Sequence, residues 1–226
     1  MGHNTENHLK HFIEEYEQTL DSFSLPKSLE NDYRILSCLK QRENSEVYLL
    51  CKKEAVSEKY ILKKGSGPQL ARLQQEASML KLLADIPGTF VPKLISCITE
   101  PENGAAFLLR TYIEGCPLSE YYETYAPFSN EELIRLSLQL CRIIHLLHQQ
   151  MPPVIHRDIK PENFIYSKER HTLSLIDFDI ARHYIPSHEE DTLLMGTPSF
   201  AAPEQFGFSQ SDIRTDIYGI GKTMLF

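Results

Sequence analysis

The chain has 226 residues, 42% hydrophobic and 24% charged, which suits an ordinary globular protein with room for one large domain or two small lobes sharing a cleft. Its net charge of −8, without any lysine- and arginine-rich run, argues against a nucleic-acid or anionic-membrane surface as the main partner. There is no basic start leading into an apolar leader, no apolar stretch long enough to span a bilayer, and only five scattered cysteines without C-x-x-C spacing, so free thiols in a cytoplasmic setting are expected.

Residues 5–24 place Leu9, Phe12, Ile13, Tyr16, Leu20 and Phe23 at helical spacing, and Pro26 ends the pattern. Residues 1–32 are therefore expected to form a helical extension, packed on a neighbouring lobe or offered to a partner. Strand-like runs follow at Tyr33–Leu39, Val47–Cys51 and Tyr60–Leu62, separated by polar turns. Pro68–Ala84 predicts a helix with Leu70, Leu73, Ala77, Leu80 and Leu83 on its apolar face and Glu76 close to that face. Phe90–Ile98 and Ala105–Tyr112 read as strands joined by the turn Pro101–Gly104. Ser129 or Asn130 can cap a long helix, with Glu131 and Glu132 in its first turn. On that helix Leu133, Leu136, Leu140, Ile143, Ile144 and Leu147 form a buried face. His145 and His148 read as structural or exposed, not as metal ligands.

From Val154 the chain runs V-I-H-R-D-I-K-P-E-N-F-I-Y and then, after a polar turn, T-L-S-L-I-D-F-D. Phe164–Tyr166 and Leu173–Ile176 are short apolar runs separated by residues 167–171, a hairpin signal. Such a hairpin holds Asn163 before one strand and Asp177 after its partner, with both able to point at one spot beside Asp158. Converging oxygen-bearing side chains suit a hard divalent cation, most simply magnesium on phosphate oxygens. One carboxylate can instead orient an attacking hydroxyl and take its proton. Lys160 can place positive charge near a transferring phosphoryl group.

His156-Arg157-Asp158 followed by Asn163 and then by Asp177-Phe178 resembles the catalytic and metal-binding loops of protein kinases, in the style of bacterial serine/threonine kinases. The later Met195–Glu204 stretch, which holds Gly196-Thr197 and ends in Ala202-Pro203-Glu204, resembles the end of a kinase activation segment. Thr215–Gly219 resembles the start of the family's central helix. The resemblance implies an α+β, bilobal kinase-like fold over residues 33–226. It has an N-lobe (33–112) of antiparallel sheet plus one helix, and a mainly helical, partial C-lobe (113–226) that stops after the central helix.

It also implies roles. Lys63, which ends Tyr60-Ile-Leu-Lys63, would neutralise the α- and β-phosphates of ATP, with Lys64 one register step away. Glu76 would pair with that lysine, and Val47, Tyr112 and Ile113 would border the nucleotide. Asp158, Lys160 and Asn163 would be catalytic, and Asn163 with Asp177 would hold Mg²⁺. Thr197 would bond toward Asp158 and Lys160, as in serine/threonine kinases, and Asp216 would brace the His-Arg-Asp loop. Arg157 could pair with a phosphate on the activation segment, Thr192 being the best acceptor ahead of Ser187 and Ser199. The implied function is ATP-dependent transfer to serine and threonine hydroxyls of protein substrates. The alternatives are a nucleotide- or partner-binding module with weak or no catalysis, and a small-molecule phosphotransferase.

Several positions depart from the family's pattern. The three glycines of the phosphate loop fall on Lys40, Arg42 and Ser45, where the two cations could place charge over the nucleotide. Asp179 replaces the glycine after Asp177-Phe178. Arg110 stands where a hydrophobic residue usually guards the back of the nucleotide pocket. Without further C-lobe helices, Glu204 is expected to lack a charged partner and the central helix to expose an apolar surface to a partner.

Overall fold

The computed structural model describes residues 24–87, 90–185, 196–207 and 209–226. The expected N-terminal helix and the candidate acceptors Thr192 and Ser187 lie outside these residues. After a short helix α1 (Lys27–Glu30) come β1 (Tyr33–Arg42), β2 (Ser45–Lys52), β3 (Lys59–Ser66), helix α2 (Gln69–Leu83), β4 (Leu94–Glu100) and β5 (Ala105–Thr111). The strands form one antiparallel sheet in the order β1-β2-β3-β5-β4.

Strand β5 is buried on both faces, and its alternation sorts two cores. Ala105, Phe107 and Leu109 pack with Leu29, Tyr48 and Leu62 on one side. Ala106 and Leu108 join the larger core, which runs through α2 into the second lobe. Lys63 lies opposite Leu108 in the ladder, so it shares the α2-facing side. Gly65 permits this close approach: a Cβ there would sit 2.9 Å from Gln69 Cβ and Leu73 Cδ1 of α2.

The second lobe opens with β6 (Cys116–Pro117), α3 (Leu118–Tyr125) and α4 (Asn130–His148). Ser129 is the N-cap of α4, accepting from Glu132 N at 3.2 Å. Short β7 (Val154–Ile155) precedes the motif stretch, and the hairpin is β8 (Phe164–Ser167) and β9 (Thr172–Leu175). Strand β10 (Arg182–His183) pairs with β7, and α5 (Ile213–Met224) closes the described chain.

Some element boundaries differ from those expected. Strand β4 begins at Leu94, not Phe90, because Pro92 cannot donate to a ladder. Leu133 is 45% exposed rather than part of the buried face of α4; it sits in the first turn and borders a hollow with Phe128, Leu136 and Phe226. Strand β1 continues to Arg42 and turns on Glu43-Asn44, with register irregularities between Ile35 and Ser37 and between Cys38 and Lys40. Helix α5 leaves Ile213, Ile217, Tyr218 and Met224 exposed along its length.

Candidate functional site

Between the β1–β3 strands, α2 and the loops carrying Asp158 and Asp177 lies a cavity of about 570 Å³, lined among others by Val47, Lys63, Glu76, Asp158, Lys160 and Asp177. On its upper wall Lys63 Nζ donates to Glu76 Oε2 at 2.6 Å and to Asp177 Oδ1 at 2.7 Å. The lysine in question is Lys63. Strand alternation turns Lys64 to the opposite face, where it meets Glu46 at 3.1 Å. Glu76 is fully buried. Burial opposes charge on Lys63, but Asp177 and Glu76 outweigh it and raise its pKa. Burial likewise opposes ionisation of Asp177, yet the Lys63 ammonium holds that carboxyl well below the usual carboxylate range.

The lower wall is built on a strained loop. Arg157 and Asp177 adopt left-handed backbone conformations, φ 68° and 71°, which non-glycine residues hold only where their surroundings enforce it. Asp216, 1% exposed on α5, supplies that enforcement at Arg157. Its carboxylate accepts from His156 N at 2.9 Å and Arg157 N at 2.8 Å, and His148 Nε2 lies 2.9 Å away. Gln205 Nε2 donates to Arg157 O at 2.6 Å from the other side. Replacing Asp216 with alanine would leave two buried amides without an acceptor and is expected to destabilise the fold by about 2–5 kcal/mol. Urea unfolding measures this, and Asp216→Asn, which keeps one acceptor, should lose less.

On this loop Asp158 meets three donors. Thr197 Oγ1 donates to Oδ1 at 2.9 Å, Asn163 Nδ2 to Oδ2 at 2.9 Å, and Lys160 Nζ lies 2.7 Å from Oδ2. Lys160 Nζ also donates to Thr197 Oγ1 at 2.7 Å. The hairpin register sets Asn163 beside the Asp177 strand: Ile176 N donates to Asn163 O at 2.8 Å. With Nδ2 of Asn163 spent on Asp158, its Oδ1 is the atom left to accept, and Asp177 keeps Oδ2. Two hard oxygens fit Mg²⁺. Among the described residues no group of three or more His, Cys, Asp or Glu could hold a metal. Such an ion would therefore complete its shell from water and nucleotide phosphates.

A protein kinase domain model matches residues 34–226. The chain belongs to the protein kinase domain family. It is 31% identical over 159 residues to serine/threonine-protein kinase D of Synechocystis sp., a match covering 68% of this chain and 30% of that protein. It is 30% identical over 155 residues to the probable serine/threonine-protein kinase PknB of Lactococcus lactis, covering 67% and 23%. A match to serine/threonine-protein kinase pkn3 of Myxococcus xanthus, 30% over 162 residues, covers 67% and 28%. The chain thus spans less than a third of the length of these relatives.

Not every residue expected in the kinase site gathers in the main cavity. Tyr112 and Ile113 border a separate cavity of about 410 Å³ with Lys59, Arg170 and Thr172, and Tyr112 N is taken by Lys59 O at 3.2 Å. Arg157 is buried, its Nε donating to Ile180 O at 2.7 Å. Among the described residues Glu204 forms no ion pair, and its contact is a hydroxyl: Thr215 Oγ1 donates to its Oε1 at 2.6 Å. No described helix is long and apolar enough to cross a membrane.

The positions that depart from the family's pattern take up new contacts in this kinase domain. Arg110 follows Leu108 on the α2-facing side of β5. It is 5% exposed, and its Nε lies 3.7 Å from Glu76 Oε1. Asp179 faces Arg72 Nη1 of α2 at 3.7 Å, and one helical turn along, Gln75 Nε2 donates to Ala181 O at 2.7 Å. Burial, reinforced by Asp177, pushes the Asp179 carboxyl up to about 6. These two contacts tie the helix carrying Glu76 to the segment carrying Asp177. Position parity on β5 was the available signal for Arg110; Arg72 and Gln75 gave none, being ordinary polar helix residues.

Proposed function

We propose that this chain transfers the γ-phosphoryl group of ATP, with magnesium, to serine and threonine hydroxyls of protein substrates. The observation that carries this reading is the Asp158–Thr197–Lys160 triangle. A carboxylate that can take a hydroxyl proton and an ammonium that can meet a phosphoryl oxygen are held together there by one threonine. Lys63, fixed by Glu76, would orient the α- and β-phosphates. Asn163 and Asp177 would hold magnesium, which neutralises charge on the phosphate oxygens when bound. Asp158 would receive the proton as the substrate oxygen bonds to the γ-phosphorus and the bond to the β-phosphate oxygen breaks, while Lys160 offsets the charge on the transferring group. Val47 would cover the base, and backbone groups of Tyr112 and Ile113 would border it. Protein substrates would be the partners, and exposed apolar residues on α5 offer a further contact surface.

The test is incubation of the full chain with γ-labelled ATP, magnesium and a mixed protein acceptor, followed by phosphoamino-acid analysis. Label is expected on serine and threonine, abolished by EDTA, with turnover of about 1–100 s⁻¹ on a good substrate. Metal-dependent nucleotide binding without label in any acceptor or in the chain itself would overturn the reading in favour of a binding module.

A further inference from the structure

The hairpin above the cleft is where the chain departs furthest from its family, and it carries charge without partners to match. The β1–β2 register sets Lys40 opposite Val47 and Arg42 opposite Ser45. Cross-strand partners share a face, and all four residues line the 570 Å³ cavity. Gln41 and Glu46 alternate to the other face, where Glu46 is engaged by Lys64 and by the Tyr48 hydroxyl. Two long cations therefore hang over a hollow that already holds Lys63 and Lys160. Those two have counter-charges in Glu76, Asp177 and Asp158. Among the described residues, no carboxylate lies within ion-pair distance of Lys40 or Arg42. The field at Lys40 is unfavourable to its charge: burial lowers its pKa first, then repulsion from Arg42, Lys160 and Lys63, against attraction from Asp177. Arg72 and Glu43 line the same hollow, and Arg72 faces Asp179 at 3.7 Å, so Lys40 and Arg42 are the lining cations with no carboxylate within ion-pair distance and the ones open to an added anion.

We propose that Lys40 and Arg42 bind the nucleotide's phosphate tail through their side chains, replacing the backbone amides that a glycine loop presents. This deepens the kinase reading and rests on it. With Lys40, Arg42 and Ser45 at the three glycine positions, side chains stand where bare backbone would approach a phosphate, so charge at the end of flexible side chains takes that place. Arg42, next to the turn, can engage a phosphate with two parallel N–H donors, and Lys40 acts as a point charge further in. Contacts of this kind are more exposed than an amide cradle and are weakened by salt.

The experiment compares wild type with the Lys40→Met/Arg42→Met double variant. It measures binding of Mg·ATP and of adenosine by calorimetry, at low and high ionic strength. The double variant is expected to bind Mg·ATP roughly 10- to 100-fold more weakly and adenosine within about twofold, and to lose most of the salt sensitivity of Mg·ATP binding. Lys40→Arg/Arg42→Lys should stay close to wild type. Retained adenosine binding shows that the variant is folded. If wild type binds both ligands and the double variant binds Mg·ATP as wild type does, or loses both ligands equally, the proposal is overturned while the kinase reading stands. If wild type binds neither ligand, the nucleotide reading itself fails and the proposal falls with it.

Discussion

Asp158→Asn is expected to slow phosphoryl transfer by roughly 10²- to 10⁴-fold while nucleotide affinity changes little. Asp158 accepts one bond at Oδ1, from Thr197, and meets two donors at Oδ2, Asn163 and Lys160. A carboxylate has about four acceptor positions, so one at Oδ1 remains for a substrate hydroxyl. Asparagine keeps the shape but carries no charge and cannot take the proton. It also turns one oxygen into an amino group, which must then face Thr197 or the donors at Oδ2. Nucleotide binding is spared because the upper wall, with Lys63 and Glu76, does not touch this carboxylate. Single-turnover transfer from labelled ATP, with nucleotide binding measured in parallel, separates the two effects. Transfer within tenfold of wild type would remove Asp158 from the chemistry.

The legible part of this protein was whatever sits at fixed spacing in one stretch. His156 to Asp177 specifies a loop and a hairpin that brings Asn163 to Asp158 and sets its backbone beside Ile176, because a two-strand hairpin fixes its ends relative to each other. Thr197 and Asp216 followed from the family's spacing, and both reach the loop they were expected to reach. Contacts between unmotivated positions were not legible. Arg110 lies in an otherwise apolar strand, and its parity gives the face it takes but not the buried carboxylate on α2 that it meets there. Asp179 and Arg72 are more than 100 residues apart in sequence and meet only because α2 lies against the segment after Asp177. The β1–β2 region differs in extent. The strands expected over Tyr33–Leu39 and Val47–Cys51 run over Tyr33–Arg42 and Ser45–Lys52, so ladder pairing continues to the turn past an irregularity between Cys38 and Lys40. Glycine-poor, alternating residues favour a strand over an open loop.

Lys63→Met should be the most damaging single change to the fold of the upper wall, destabilising it by about 3–5 kcal/mol and abolishing measurable transfer. The Lys63 side chain is 13% exposed and Glu76 is 0% exposed. Methionine fills the space but leaves Glu76 Oε2 and Asp177 Oδ1 without their shared cation. A buried carboxylate with no partner is far more costly than the pair is favourable. Arg110, 3.7 Å from Glu76 Oε1, then becomes the nearest remaining cation. Its presence should hold the loss toward the lower end of that range, and Lys63→Met/Arg110→Met should lose more than the sum of the single changes. Removing both charges of the main pair, Lys63→Met/Glu76→Gln, should recover part of the stability but none of the transfer, since stability needs matched charges and chemistry needs the ammonium on the phosphates. Urea unfolding of wild type, Lys63→Met, Arg110→Met and Lys63→Met/Arg110→Met measures the cycle, with Lys63→Met/Glu76→Gln alongside. If Lys63→Met unfolds at the wild-type midpoint, Glu76 is not a buried anion dependent on that lysine. The tie from α2 to the Asp177 segment would then have to rest on Asp179–Arg72 and Gln75–Ala181 alone.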